Sequence, residues 1–118
     1  MTAGKYRVPG LIAIVDYNKV QLDGLVKEIM DLEPLVEKWK SFNWRVDVLE
    51  DGNDLAQVVG GLDRAVAASV SGRGPTVIIA NTVKGKGVSF MEGKAAWHGK
   101  APTAEEAARA LEEIARHG

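Results

Sequence analysis

The run Thr76-Val77-Ile78-Ile79-Ala80 carries no charge and no polar alternation. A strand that is apolar on both faces has to be buried on both, and that is the situation of a strand inside a parallel, helix-covered sheet. Two other segments read as strands. Leu11-Ile12-Ala13-Ile14-Val15 is a β-branched run bounded by Pro9-Gly10 and Asp16. Arg45–Leu49 alternates, with Val46 and Val48 facing one way and Arg45, Asp47 and Leu49 the other.

Helical patterns separate the three runs. Gln21–Met30 reads as a turn leading into a short helix. Glu33–Phe42 reads as a helix with Pro34 in its first turn and Leu35, Val36 and Trp39 on one side. Leu55, Val58, Val59, Leu62, Ala65, Val66 and Val70 recur at helical spacing after an N-cap offered by Asn53 or Asp54. Gly60-Gly61 weakens that helix by roughly 1 kcal/mol per glycine unless close packing uses the missing side chains. Thr103 caps a last helix, with Glu105-Glu106 at its positive end and Ala107, Ala110, Leu111 and Ile114 as its packing face. From Asn81 to Gly99 there is a long glycine-bearing loop of the functional kind.

Strands alternating with helices predict a three-layer α/β/α architecture with a mainly parallel sheet, in one domain over 1–118. Three strands are few for such a sheet, and an apolar edge invites association. The chain looks like a piece of a larger sheet or a subunit completed by another.

Composition excludes several classes. A net charge of −1 leaves no electrostatic footprint for nucleic acid and no polybasic attraction to a membrane. The absence of cysteine rules out disulfides and thiol catalysis and fits a reducing cytoplasm. No apolar run approaches the ~18 residues of a membrane span, and no secretory signal core follows the N-terminus.

Four features could carry chemistry. Asp16 and Asn18 follow the first strand, where an open parallel sheet presents ligand-binding groups. Two readings stand there: oxygen donors for a hard cation, or turn residues bonding their own backbone. Thr82-Val83-Lys84-Gly85-Lys86-Gly87 follows the third strand and is either a phosphate cradle or a flexible basic loop; its spacing is not that of a P-loop. His98, in Trp97-His98-Gly99, is either a proton relay or phosphate contact, or a loop histidine packed beside Trp97. The other histidine, His117, sits at a solvated helix end. Trp39 and Trp44 anchor a helix to the sheet, since two aromatics without a basic face make no base-stacking platform.

Taken in order, these pieces resemble one family. Leu11 to Gly24 resembles the strand and turn that close the thiamine-diphosphate motif of transketolases. Gly52-Asn53-Asp54 resembles the family's Gly-His-Asp turn, with Asn in place of His. Thr76–Thr82, the Lys84–Gly87 loop and Trp97-His98-Gly99-Lys100-Ala101-Pro102 resemble its later strand and His-Gly segment. The likeness covers nearly the whole chain and is nearest to the N-terminal subunit of split transketolases. Only Trp97-His98-Gly99 favours transketolase over its relative, deoxyxylulose-phosphate synthase.

The resemblance implies roles. The side-chain oxygen of Asn18 and the backbone carbonyl of Val20 would ligate a Mg²⁺ or Ca²⁺ that bridges the diphosphate. Leu22 would line the thiazolium pocket, and Lys84 and Gly85 would lie over the cofactor. His98 would stand near the diphosphate and the reacting sugar hydroxyl, as the catalytic residue. The family moves a two-carbon ketol unit between sugar phosphates, with the cofactor doing the carbon chemistry. Its implied partner is the C-terminal, pyrimidine-binding subunit, in a homo- or hetero-oligomer.

The departures from the family pattern shape the expectation. The Gly-Asp-Gly turn whose Asp ligates the metal is not in this sequence. Neither are the family's early histidines or the glutamate of its second domain. The implied fold is therefore the second half of the thiamine-diphosphate-binding domain, incomplete. Met1-Thr2-Ala3 reads as an internal start, because in the family a helix ending like Ala3-Gly4-Lys5-Tyr6-Arg7 leads into this strand. Two ligands where the metal wants about six predict that the chain alone does not hold the cofactor. The competing expectations are a non-catalytic remnant that associates through its sheet edge, and a phosphate-binding module using the Lys84–Gly87 loop.

Overall fold

The apolar run near residue 78 forms β5 (Thr76–Asn81), the middle strand of a parallel sheet, with β1 (Ile12–Tyr17) on one side and β4 (Arg45–Leu49) on the other. The structure is a computed structural model that describes every residue except Asp23 and Gly118; the side chain of His117, expected to be solvated, also lies outside the described residues. The described residues divide into two compact units, Met1–Tyr17 with Leu32–Thr82, and Asn18–Asp31 with Val83–Gly118.

The first unit opens with a single helical turn, α1 (Thr2–Lys5), and holds the sheet. Val77, Ile78 and Ile79 are buried on opposite faces of β5, as its lack of alternation required. Each such side chain contributes about 1.5–3 kcal/mol by leaving water. In register, Ile12, Thr76 and Arg45 stand abreast, and so do Asp16, Ala80 and Leu49. Helix α4 (Leu55–Val70) packs on the face carrying Ile78, Ala80 and Leu49, and Ala65 and Val58 complete that core. Asp54 is its N-cap, accepting from the Ala56 N–H at 2.9 Å. Gly61 answers the doubt about the glycine pair: a Cβ there would lie 2.8 Å from a Leu49 methyl, so helix and strand use the missing side chain. The short helix α3 (Leu35–Ser41) precedes β4, and Trp39 meets Trp44 edge-on at 4.9 Å.

In the second unit, β2 (Val20–Gln21) pairs antiparallel with β3 (Gly24–Leu25) and runs into a single helical turn, α2 (Val26–Ile29). A glycine-rich loop and one 3₁₀ turn (Ala95–Trp97) lead to α5 (Ala104–His117). Thr103 and Glu106 form a reciprocal capping box at its start: the Glu106 N–H reaches Thr103 Oγ1 at 3.2 Å, and the Thr103 N–H reaches Glu106 Oε2 at 2.8 Å.

The sequence expectations need four corrections. The first strand runs two residues further than Val15, because Asp16 and Tyr17 stay on the ladder with Ala80 and Asn81. The Gln21–Met30 segment adds a short ribbon ahead of its helix, because Gln21 pairs with Gly24 and Val20 with Leu25. Pro34 caps α3 instead of lying in its first turn; the Glu33 carboxylate takes the free Leu35 N–H at 2.9 Å. Leu111 and Ile114, expected to pack, remain exposed on α5.

Candidate functional site

The carboxyl ends of the three parallel strands are tied together by side chains. Thr82 donates its hydroxyl to Asp16 Oδ1, and the Thr82 N–H donates to the Tyr17 carbonyl at 3.4 Å. Asn81 Nδ2 donates to the Leu49 carbonyl at 2.9 Å, and the Gly52 N–H donates to the Asn81 carbonyl at 2.7 Å. Tyr17 donates its hydroxyl to Glu33 Oε1 at 2.6 Å. A Cβ on Gly52 would fall 2.7 Å from Ala80 Cβ and 2.8 Å from Thr82 Cγ2, so the Gly52-Asn53-Asp54 turn closes on the end of β5 only with glycine there. This network fixes the point at which the chain leaves β1 for Asn18.

In the second unit, Asn18 Oδ1 accepts the Val20 N–H at 2.9 Å, and the Val26 N–H closes onto the Lys19 carbonyl at 2.9 Å. The Asn18 side chain thus bonds its own backbone, as the turn reading required. A carboxamide oxygen has a second lone pair, so this bond leaves room for a cation. Lys19 and Leu22 adopt positive φ, 65° and 40°, an uncommon conformation for non-glycine residues that clusters at functional turns. Leu22 is 58% exposed.

Lys84 and Gly85 sit in a braced loop. The Gly93 N–H donates to the Lys84 carbonyl at 2.8 Å. Gly85, at φ 71°, would bring a Cβ within 3.0 Å of Met91. The Gly87 N–H reaches Glu92 Oε1 at 2.9 Å. Trp97 donates from Nε1 to the Phe90 carbonyl at 3.1 Å and meets the Phe90 ring edge-on.

His98 follows the 3₁₀ turn, its N–H on the Ala95 carbonyl at 2.8 Å and its ring exposed. It shares an open depression of about 550 Å³ with Leu22, Ala95, Ala96, Gly99 and Lys100. That size suits a small molecule or part of a cofactor. Of the sequence-derived residues, the structure brings Leu22 and His98 to one surface. Among the described residues, Asn18, Val20, Lys84 and Gly85 are not part of that lining.

Lys100 was missed as a lining residue. Its ammonium lies 4.1 Å from the Trp97 ring centroid and 2.8 Å from Glu106 Oε1. The only sequence signal was its adjacency to the Trp97-His98 segment. That lysine, followed by the Thr103 N–H, holds the Glu106 carboxyl below the ordinary glutamate range. Glu113 is lowered likewise by the Ser89 N–H, which it accepts at 2.5 Å while taking the Ser89 hydroxyl at 3.0 Å. Among the described residues, no three His, Cys, Asp or Glu side chains gather as a metal cage. No helix among them is long and apolar enough to cross a membrane.

A family model described as transketolase, thiamine diphosphate binding domain, matches residues 1–116. The chain belongs to that family. This transketolase-family chain is 43% identical, over its full length, to a 6-deoxy-6-sulfo-D-fructose transketolase subunit of Clostridium sp., and covers 42% of that protein. It is 44% identical over 115 residues to an apulose-4-phosphate transketolase subunit from Actinobacillus succinogenes, covering 97% of itself and 40% of the relative. The chain therefore spans about two fifths of the length of these curated relatives. The crystal structure of transketolase from Campylobacter jejuni shares its fold with a TM-score of 0.86 at 24% identity, over 97% of this chain and 17% of that one.

Proposed function

We propose that this chain carries the metal and diphosphate side of a thiamine-diphosphate site in a transketolase-type transferase, and that other polypeptide completes the site. In this reading Asn18 Oδ1 and the Val20 carbonyl ligate Mg²⁺ or Ca²⁺, and Leu22 supports the thiazolium ring. Lys84 and Gly85 cover the diphosphate, and His98 holds or moves a proton at the reacting sugar hydroxyl. The observation that carries the reading is the shared depression of Leu22 and His98, residues far apart in sequence to which the family resemblance gives separate roles at one cofactor site.

The residues fit the group in part. The Asn18 oxygen and one carbonyl suit a hard cation, whose remaining positions need a carboxylate and the diphosphate itself. When bound, thiamine diphosphate supplies the electron sink for breaking and making the carbon–carbon bond of a ketol transfer. The chain's own residues bind it, orient it and handle the hydroxyl proton.

The partner in this reading is a subunit with the pyrimidine-binding domain, in a cytoplasmic hetero- or homo-oligomer. The outer face of α4 supports assembly: Leu55 and Val70 at its two ends are 74% and 82% exposed, and Val59 and Val66 continue the stripe. The two relatives named for sugars with an anionic end, sulfonate in one and phosphate in the other, favour a donor of that class.

The test is calorimetry with thiamine diphosphate and Mg²⁺, first on the chain alone and then mixed with the complementary pieces of a relative. The expected result is no measurable binding alone and ketol-transfer turnover in the mixture with a phosphorylated or sulfonated ketose. Low-micromolar binding to the chain alone rejects the incomplete site. Stable association without turnover favours a non-catalytic association module.

A further inference from the structure

At the opposite end of the sheet from Asp16 and Thr82, α4 stands away from the first residues of β4 and β5. Arg45 and Thr76 begin these strands and lie directly abreast in the ladder, with Asp47 two residues on along the same face. Ala65 and Ala68 face them from the helix, and two side chains of that size leave a gap of about 150 Å³ between helix and sheet. Arg64 enters from α4 and Val46 completes the lining.

Three features of this gap are unbalanced. Its lining has two guanidiniums, Arg45 and Arg64, against one carboxylate, Asp47. Asp47 is already taken by Arg64, with Nε 2.9 Å from Oδ2. The Arg45 side chain has no such partner among the described residues. The Thr76 hydroxyl belongs to the same lining; the residue is 3% exposed, and its Oγ1 has no hydrogen-bond partner. Buried polar groups in native proteins are nearly always satisfied, so an orphan calls for an occupant. A water would satisfy the hydroxyl and leave the charge excess unmatched.

We infer that this gap is a binding site for a small oxoanion, a phosphate group free or at the end of a small metabolite. It would be held by Arg45, with the Thr76 hydroxyl as a further donor; the outer nitrogens of Arg64 lie against Gly60 and Gly61, and its Nε is held by Asp47. Guanidinium forks match a tetrahedral oxoanion with paired, charge-assisted hydrogen bonds. The space admits one such group with a few waters and excludes a nucleotide, since a water takes about 30 Å³. The lining shares no residue with the proposed cofactor site, and the inference does not depend on that site.

The probe is inorganic phosphate, titrated into the full chain at constant ionic strength with chloride as the balancing salt, and read by thermal melting and by amide NMR shifts. Saturable stabilisation is expected, with the largest shifts at residues 45, 64 and 76. Arg45→Gln, at an exposed position, should weaken it about tenfold. Thr76→Val should weaken it too, whereas a simple orphan predicts a more stable chain with an unchanged phosphate response. Lys27→Gln, at an exposed lysine outside both linings, should leave the response intact. Absence of saturation, an unchanged response in Arg45→Gln, or its loss in Lys27→Gln overturns the inference.

Discussion

The Thr82 hydroxyl donates to the Asp16 carboxylate across the paired ends of β5 and β1, sixty-six residues apart in sequence. The bond fixes the exit of β1 immediately before the turn that carries Asn18. Thr82→Val should therefore lower stability by about 1 kcal/mol, the small end of the range for a bond to a charged group because the pair is exposed. A double-mutant cycle with Asp16→Ala, read by urea denaturation, should give a coupling of similar size. Strictly additive losses would mean that the two side chains do not act together.

Gly52 is the position at which the turn after β4 meets the end of β5. A methyl group there collides with Ala80 Cβ, which has no rotamer to change, and with Thr82 Cγ2, whose rotamer is held by the hydroxyl bond to Asp16. Gly52→Ala should cost about 1–3 kcal/mol, the usual penalty of overpacking. Gly72→Ala makes a control for space, because nothing lies within 4 Å there, though its φ of 68° still disfavours alanine. Gly52 itself has no positive φ, so an unchanged stability in Gly52→Ala would mean that the turn shifts off the end of β5 at no cost.

Acid stability should reflect Glu106 and Glu113. Both carboxyls are lowered in the folded chain, Glu106 by Lys100 and the Thr103 N–H, Glu113 by the Ser89 N–H. In the unfolded chain they return to about 4.3. Above that value both states are ionised and the stabilisation is fully present. As pH falls through the lowered folded values, the native state takes up the protons as well and the contribution is lost. The urea midpoint should hold steady from neutral pH down to about 5 and decline below about 4. Glu113→Gln should make that decline shallower, and a midpoint that rises on acidification would contradict the assignment.

Asn18 offers a test of the turn apart from any catalysis. Asn18→Ala removes the acceptor of the Val20 N–H. It should cost about 1 kcal/mol in the chain alone. Asn18→Asp keeps the acceptor, so its stability should stay near that of the native chain. In a reconstituted assembly, Asn18→Ala should also weaken the Mg²⁺-dependent retention of thiamine diphosphate. Retention equal to the native level would remove Asn18 from the ligand set.

The ladder of β5 was legible because its run of apolar residues admits only a doubly buried strand. A cap at Asn53 or Asp54, the Thr103 cap and the α4 periodicity were legible because they depend on residues two to four apart. The β2–β3 ribbon was not, since two-residue strands carry too short a pattern to set against a turn. The exposure of Leu111 and Ile114 was not legible either: an amphipathic stripe shows which side can be buried, not whether anything covers it. For the site, residue order pointed to Asn18, Leu22 and His98 through family resemblance. Lys100 on the Trp97 ring and the Asp16–Thr82 bond had no local signature.

By itself, then, the amino-acid sequence determined the three strands, the long helix, their caps and the family to which the chain belongs. Those properties are written in short-range spacing and in an ordered set of motifs. Only the tertiary structure decided that β5 lies between β1 and β4, that Leu22 shares a surface with His98, and that Arg45 stands beside an unsatisfied Thr76. Each of these joins residues brought together by chain closure across tens of positions, where spacing along the sequence no longer constrains distance in space.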